Sequence, residues 1–235
     1  MVETPSKPRI WLALLPAMIL PFAASLFYFV FFSRYTFARV LFGATKVFTV
    51  VWPVVAVWFV LRGGLPRVAF RSAHHWKAIP PGLLTGAAIA LLMWIAMQTS
   101  LGHVVGSSAD AIRAKASELG IMEYFWPLVL FLSFVNSLVE EYYWRWFLFG
   151  HLRQVLPVFL AHMLAGVAFA AHHVVITTQF FPMSWGLLIG AFVGVAGVIW
   201  SVMYARQQTI MGVWVSHIIA DLGIMFIGYN LLFGK

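Results

Sequence analysis

The chain has 235 residues, is 63% hydrophobic and only 9% charged, and carries a formal net charge of +8 without a single cysteine. A mean hydropathy of +0.92 excludes an ordinary soluble domain and points to an integral membrane protein. The missing cysteines exclude disulfides, thiolate metal sites, a cysteine nucleophile and cysteine lipidation. The basic residues are scattered among apolar segments, so the charge suits lipid headgroups and membrane orientation, not a nucleic-acid backbone.

A membrane-crossing helix needs about 20 consecutive apolar residues. The first candidate covers 10–32, after Lys7 and Arg9. Its start resembles a signal peptide, but the apolar run continues through LFYFVFF to Phe32, so it is expected to remain as an uncleaved span. Further crossings are expected at 40–61 and 79–101, separated by the polar stretches SRYTFAR (33–39) and RGGLPRVAFRSAHHWK (62–77). GSSADAIRAKASELG (106–120) reads as a short amphipathic helix outside the bilayer, starting near Ser107 or Ser108.

A fourth crossing is expected at 124–148, followed by HLRQVLPVFLA (151–161), whose Pro157 and polar start predict a bent or interfacial segment. The remaining crossings fall at 163–182, 184–205 and 210–232. Within the sixth, Gly186, Gly190 and Gly194 recur at the four-residue spacing that lets helices approach closely. The expected fold is a single all-α polytopic transmembrane bundle of about seven spans, with six or eight also compatible. An inside amino terminus gathers 9 of the 15 Lys and Arg on the cytoplasmic face and leaves 6 outside, which favours that orientation.

Four of the seven acidic residues lie in loops or at span ends, but Glu140, Glu141 and Asp221 lie inside spans. A charge at bilayer depth costs about 2.5 to 3.5 kcal/mol on insertion scales, so such residues face the bundle interior and mark function or pairing. Glu141 and Arg145 are four apart and stack on one helical face as an ion pair. Glu140 is rotated about 100° from that face and needs a partner on another helix.

His217 and Asp221 share a face by the same spacing, and a carboxylate beside an imidazole fixes its tautomer. His172 and His173 are adjacent, so at most one is expected to meet the same site. Tyr142, Tyr143, Trp144 and Trp146 read as packing or interfacial aromatics.

Glu140-Glu141-x-x-x-Arg145, Phe169-x-x-x-His173 and His217-x-x-x-Asp221, in that order on separate spans, resemble the three motifs of the CAAX protease and bacteriocin-processing family. That family of intramembrane glutamic proteases includes the Ras-converting CAAX prenyl endopeptidases. The resemblance covers residues 124–230 and includes RQQTIMGVWVSH before the last motif. It implies that Glu140 activates a water with His173 beside it, that His217 and Asp221 stabilise an oxyanion, and that Glu141 and Arg145 support the site.

Two positions depart from the family pattern: Trp146 stands where glycine commonly follows the arginine, with the expectation of a narrowed cavity, and Asp221 stands where asparagine is frequent. An aspartate donates a hydrogen bond only when protonated, so Asp221 can instead orient His217 or help hold a metal.

The residues carry the chemistry without the family. Peptide hydrolysis needs a base for water and donors aimed at the developing oxyanion. No GxSxG or HExxH pattern is present, and the reading requires no cofactor and no metal. Measured from the cytoplasmic helix ends at 1.5 Å per residue, Glu140 is expected about 12 Å deep, His173 about 15 Å, His217 about 10 Å and Asp221 about 16 Å.

The resulting expectation is an endopeptidase acting on a peptide with a membrane-bound or lipidated tail, with an active site open to the cytoplasm. The bilayer is its surroundings and nucleic acid is no partner. The alternatives are a non-catalytic transporter, scaffold or immunity factor using the same acids and histidines, and a metal-dependent hydrolase.

Overall fold

A computed structural model describes residues 5–32, 34–63, 73–118 and 120–234. The described residues form nine helices and no strand: α1 (Lys7–Phe31), α2 (Thr36–Val60), α3 (Ala73–Ala96), α4 (Ser100–Ser107), α5 (Ala109–Glu118), α6 (125–155), α7 (Val158–Phe180), α8 (Met183–Gln207) and α9 (Met211–Phe233). Six of them (α1, α2, α3, α7, α8 and α9) are long and apolar enough to cross a membrane. With α6 as the seventh crossing, the chain is a multi-pass membrane protein. Large apolar side chains such as Leu12, Phe59, Leu84, Phe159 and Phe192 cover its outer surface, as expected where the solvent is lipid. Most of the basic 62–77 loop lies outside the described residues.

The breaks follow proline chemistry. Leu156 and Phe181, each preceding a proline, are extended, with φ −122° and ψ 154° and with φ −128° and ψ 156°. A proline ring disfavours helical backbone in the residue before it. The segment 151–161 is therefore not one straight crossing. The turn is confined to Leu156 and Pro157, however, and the fourth helix runs on to Val155 instead of ending near 148.

α6 alternates α-helical turns with π-helical stretches at Phe131–Asn136 and Glu141–Phe149. Such wide turns are rare and concentrate at functional sites.

Successive crossings run antiparallel. His162 pairs with Ser201 and Gly186 meets Thr178 along α7 and α8. The start of α1, Leu156–Pro157 and Gln208 therefore lie at one end of the bundle, and Arg34 and Phe181–Pro182 at the other.

Close packing without large side chains holds the second half together. Gly186, Gly190 and Gly194 face Thr178, Val174 and Ala170 of α7, the small-residue contact expected from their spacing. α3 and α9 approach backbone to backbone: a Cβ at Gly82 would meet the Gly212 carbonyl, and one at Gly86 would lie 2.9 Å from Ile219. α7 buries Ala161, Ala165, Ala168 and His172, and α9 buries Gly212, Ser216 and Ala220. These helical stripes turn His172 and His217 inward.

Candidate active site

Glu140 and Glu141 occupy the junction where α6 passes from α to π winding. Both reach the same imidazole. Glu141 Oε1 accepts a hydrogen bond from His217 Nδ1 at 2.7 Å, while Glu140 Oε2 lies 3.8 Å from His217 Nε2. A carboxylate acceptor requires the proton on Nδ1, so Glu141 fixes the tautomer of His217. The sequence argument gave that task to Asp221. Its Oδ1 lies 3.6 Å from Nε2, outside hydrogen-bond range.

Arg145 Nε pairs with Glu141 Oε2 at 3.2 Å. Its guanidinium carbon lies 4.5 Å from the ring centre of Phe169 and 5.0 Å from that of Trp200. Both terminal nitrogens are buried without a hydrogen-bond partner, so aromatic faces take the place of acceptors. Trp200 also stacks on His217, with centroids 4.2 Å apart, and donates its Nε1–H to Ser216 Oγ at 3.0 Å. The Phe169 carbonyl accepts from His173 Nδ1 at 2.8 Å, which leaves His173 Nε2 free to accept a proton or bind an ion.

The expected partner for Glu140 on another helix is joined by one on its own. Asn136, one turn earlier, donates Nδ2–H to Glu140 Oε1 at 2.9 Å, and its Oδ1 accepts from Lys46 Nζ of α2 at 3.2 Å. The amide orientation follows from charge: its oxygen faces the ammonium and its nitrogen the carboxylate. Both residues were missed in the sequence. Asn136 precedes Glu140 by four, the spacing of a helical neighbour, and Lys46 is an intramembrane cation, inside the expected 40–61 span but counted only by side as an outer charge. Moving Lys46 and Arg145 out of that count leaves 8 against 5, so the bias keeps its direction.

His172 and His173 both approach Glu140, contrary to the expectation that only one would. One ligand atom from each of the three lies within 4.8 Å of the others. Trp144 explains this by stacking on the His172 ring, with centroids 5.4 Å apart and planes 7° from parallel, and so directing it along the helix towards His173. A carboxylate with two imidazoles is a donor set that can hold a divalent cation. Asp221, which from sequence could help hold a metal, does not belong to that set, nor does His217.

Glu140, His172 and His173 line a cavity of about 190 Å³ together with Asn136, Lys46 and Ser25. His217 and Asp221 do not line it; they lie behind Glu140. Tyr143 and Trp144 do, and the Tyr143 hydroxyl donates to the Ala17 carbonyl at 2.8 Å. Those two aromatics are buried packing residues, one of the two roles expected, and they also shape the site. Trp146 does not line the cavity; it stacks on Tyr142 at 5.1 Å, so the expected narrowing is absent.

The cavity lies between the later halves of α1 and α7, the first half of α2 and the middle of α6, towards the end that carries Arg34. Counting depth from the opposite end fails because α6 runs to Val155 and α7 begins at Val158. Glu140 and His173 each stand 15 residues from those termini, and this symmetry about the Leu156–Pro157 turn brings them together.

Residues 122–223 match a family model described as type II CAAX prenyl endopeptidase Rce1-like. No curated protein and no solved structure matches the chain.

Proposed function

Taking the chain as a CAAX protease relative through this segment, we propose that it is an intramembrane endopeptidase that hydrolyses a peptide bond near a membrane-bound or lipidated carboxy-terminal tail. The observation that carries this reading is Glu140: a buried carboxylate at the wall of a cavity, with Asn136 on one oxygen and the imidazoles of His172 and His173 beside it.

In this reading a water held between Glu140 and His173 attacks the scissile carbonyl, and Glu140 takes its proton. His173 Nε2 orients that water, since Nδ1–H is committed to the Phe169 carbonyl. The proton passes to the leaving amine as the tetrahedral intermediate collapses. His217, held by Glu141, stands outside the cavity with Nε2 3.8 Å from Glu140 Oε2. In this reading it steadies the Glu140 carboxylate from behind instead of meeting the oxyanion, a role that requires the ring to carry both protons. Asp221 stands within 4 Å of that nitrogen and balances its charge. Arg145 balances Glu141, so the supporting pair stays neutral as a unit.

The Glu140–His172–His173 cluster also favours a second reading, a metal-dependent hydrolase in which these residues hold a divalent ion that polarises the water. Cleavage of a fluorogenic farnesylated CAAX peptide by purified protein separates the two. The glutamate mechanism predicts activity indifferent to chelator and abolished in Glu140→Gln and His173→Ala. The metal mechanism predicts loss with chelator and recovery with a specific ion. A folded wild type that cleaves nothing removes the prenyl-tail substrate and leaves sorting tails, leader peptides or the non-catalytic alternative.

A further inference from the structure

Lys46 is unaccounted for by the mechanism. It lies ten residues into α2 and fourteen before its end, about 15 Å along the axis from Thr36, where an ammonium is costly. Among the described residues it forms no ion pair. Its hydrogen-bond partner is the neutral Asn136 amide oxygen, with the Phe42 ring centre 6.0 Å away. An ammonium has three donors, so two remain for the cavity it lines. It is the sole Lys or Arg on that wall.

We infer that Lys46 is a specificity-determining residue that receives the free carboxy-terminal carboxylate of the substrate peptide. The inference rests on the endopeptidase reading and adds to it the end of the chain that is recognised and how far from the cut it lies. Asn136 ties the two sites together, one end of its amide on the anchoring cation and the other on Glu140. Through that amide, Nζ lies no more than about 8 Å from Glu140 Oε1. Adding about 3 Å at each end for the water and the carboxylate gives a reach of at most about 14 Å, which extended chain covers with no more than about four residues beyond the cut. The site therefore selects tails cut close to a free terminus, and a carboxy-terminal amide or a longer leaving segment forfeits the contact.

The test pairs farnesylated peptides that differ only in a free acid or an amide at the carboxy terminus. Cleavage is measured for wild type, Lys46→Gln and Lys46→Arg, and binding of the same fluorescent peptides is measured by anisotropy on Glu140→Gln with and without Lys46→Gln. A hydrogen-bonded charge contact predicts at least about a tenfold preference of wild type for the acid, expressed mainly in KM. That ratio falls to near unity in Lys46→Gln, is largely kept in Lys46→Arg, and vanishes for leaving segments of roughly six residues or more.

Equal cleavage of acid and amide by wild type, or a preference that survives in Lys46→Gln, overturns the carboxylate site while leaving the protease reading intact. If wild type cleaves neither peptide, the protease reading falls for prenylated tails. Acid-selective binding that depends on Lys46 then still upholds the carboxylate site, and its absence overturns that as well.

Discussion

His217 Nδ1 donates to Glu141 Oε1 at 2.7 Å, and the other oxygen of Glu141 meets Arg145 Nε at 3.2 Å. The carboxylate beside the proposed base is thus held between an imidazole of α9 and a guanidinium of its own helix. Truncating Glu141 to alanine strands Arg145, whose terminal nitrogens already lack hydrogen-bond partners. Breaking a buried pair on one side costs on the order of 3 to 5 kcal/mol. Glu141→Ala should therefore lower the denaturation midpoint in detergent, and Glu141→Ala with Arg145→Met should recover part of the loss. A double variant no more stable than the single one argues against a shared role.

Glu140 should behave differently. In Glu140→Gln the amide keeps the size and most of the contacts, so thermal stability should change little. Removal of a general base should lower kcat by about 10² to 10⁴. Unchanged turnover would remove Glu140 from the mechanism.

Asn136→Leu deletes a hydrogen bond to a charged group, worth about 1.5 to 3 kcal/mol. The corresponding fall in kcat/KM is roughly 10- to 150-fold. An Asn136→Gln variant with wild-type kinetics would show that the bridging geometry is not required.

Asp221 tests whether charge is needed beside His217. In this reading it balances the imidazolium from 3.6 Å, so Asp221→Asn and Asp221→Leu should both lower kcat/KM by at least about tenfold. Wild-type cleavage by Asp221→Asn would show that a neutral side chain serves there.

The cysteine-free chain makes the orientation of the cavity measurable by single-cysteine labelling with a membrane-impermeant maleimide. Arg34→Cys and Gln208→Cys lie at opposite ends of the bundle and should label from opposite sides. The charge bias puts Gln208 on the cytoplasmic side. The reverse pattern would place the cavity at the cytoplasmic face.

Composition and local spacing carried most of what could be known in advance. The apolar runs, the helix-breaking proline at 157, the glycine stripe of α8 and the four-residue spacing of Glu141 and Arg145 each act within one helix or one turn, where backbone geometry is nearly independent of context.

Tertiary structure decided which helices meet and at what height. Only the packing of α6 on α9 shows that Glu141, and not Asp221, holds His217. Glu140 and His173 are level, as the spacing suggested, but deeper, each 15 residues from the adjoining helix end, because α6 runs seven residues past its expected end. Lys46, remote in sequence from every motif, joins the site because α2 lies alongside α6. Contacts between helices depend on crossing angle and register, which spacing within one helix does not specify.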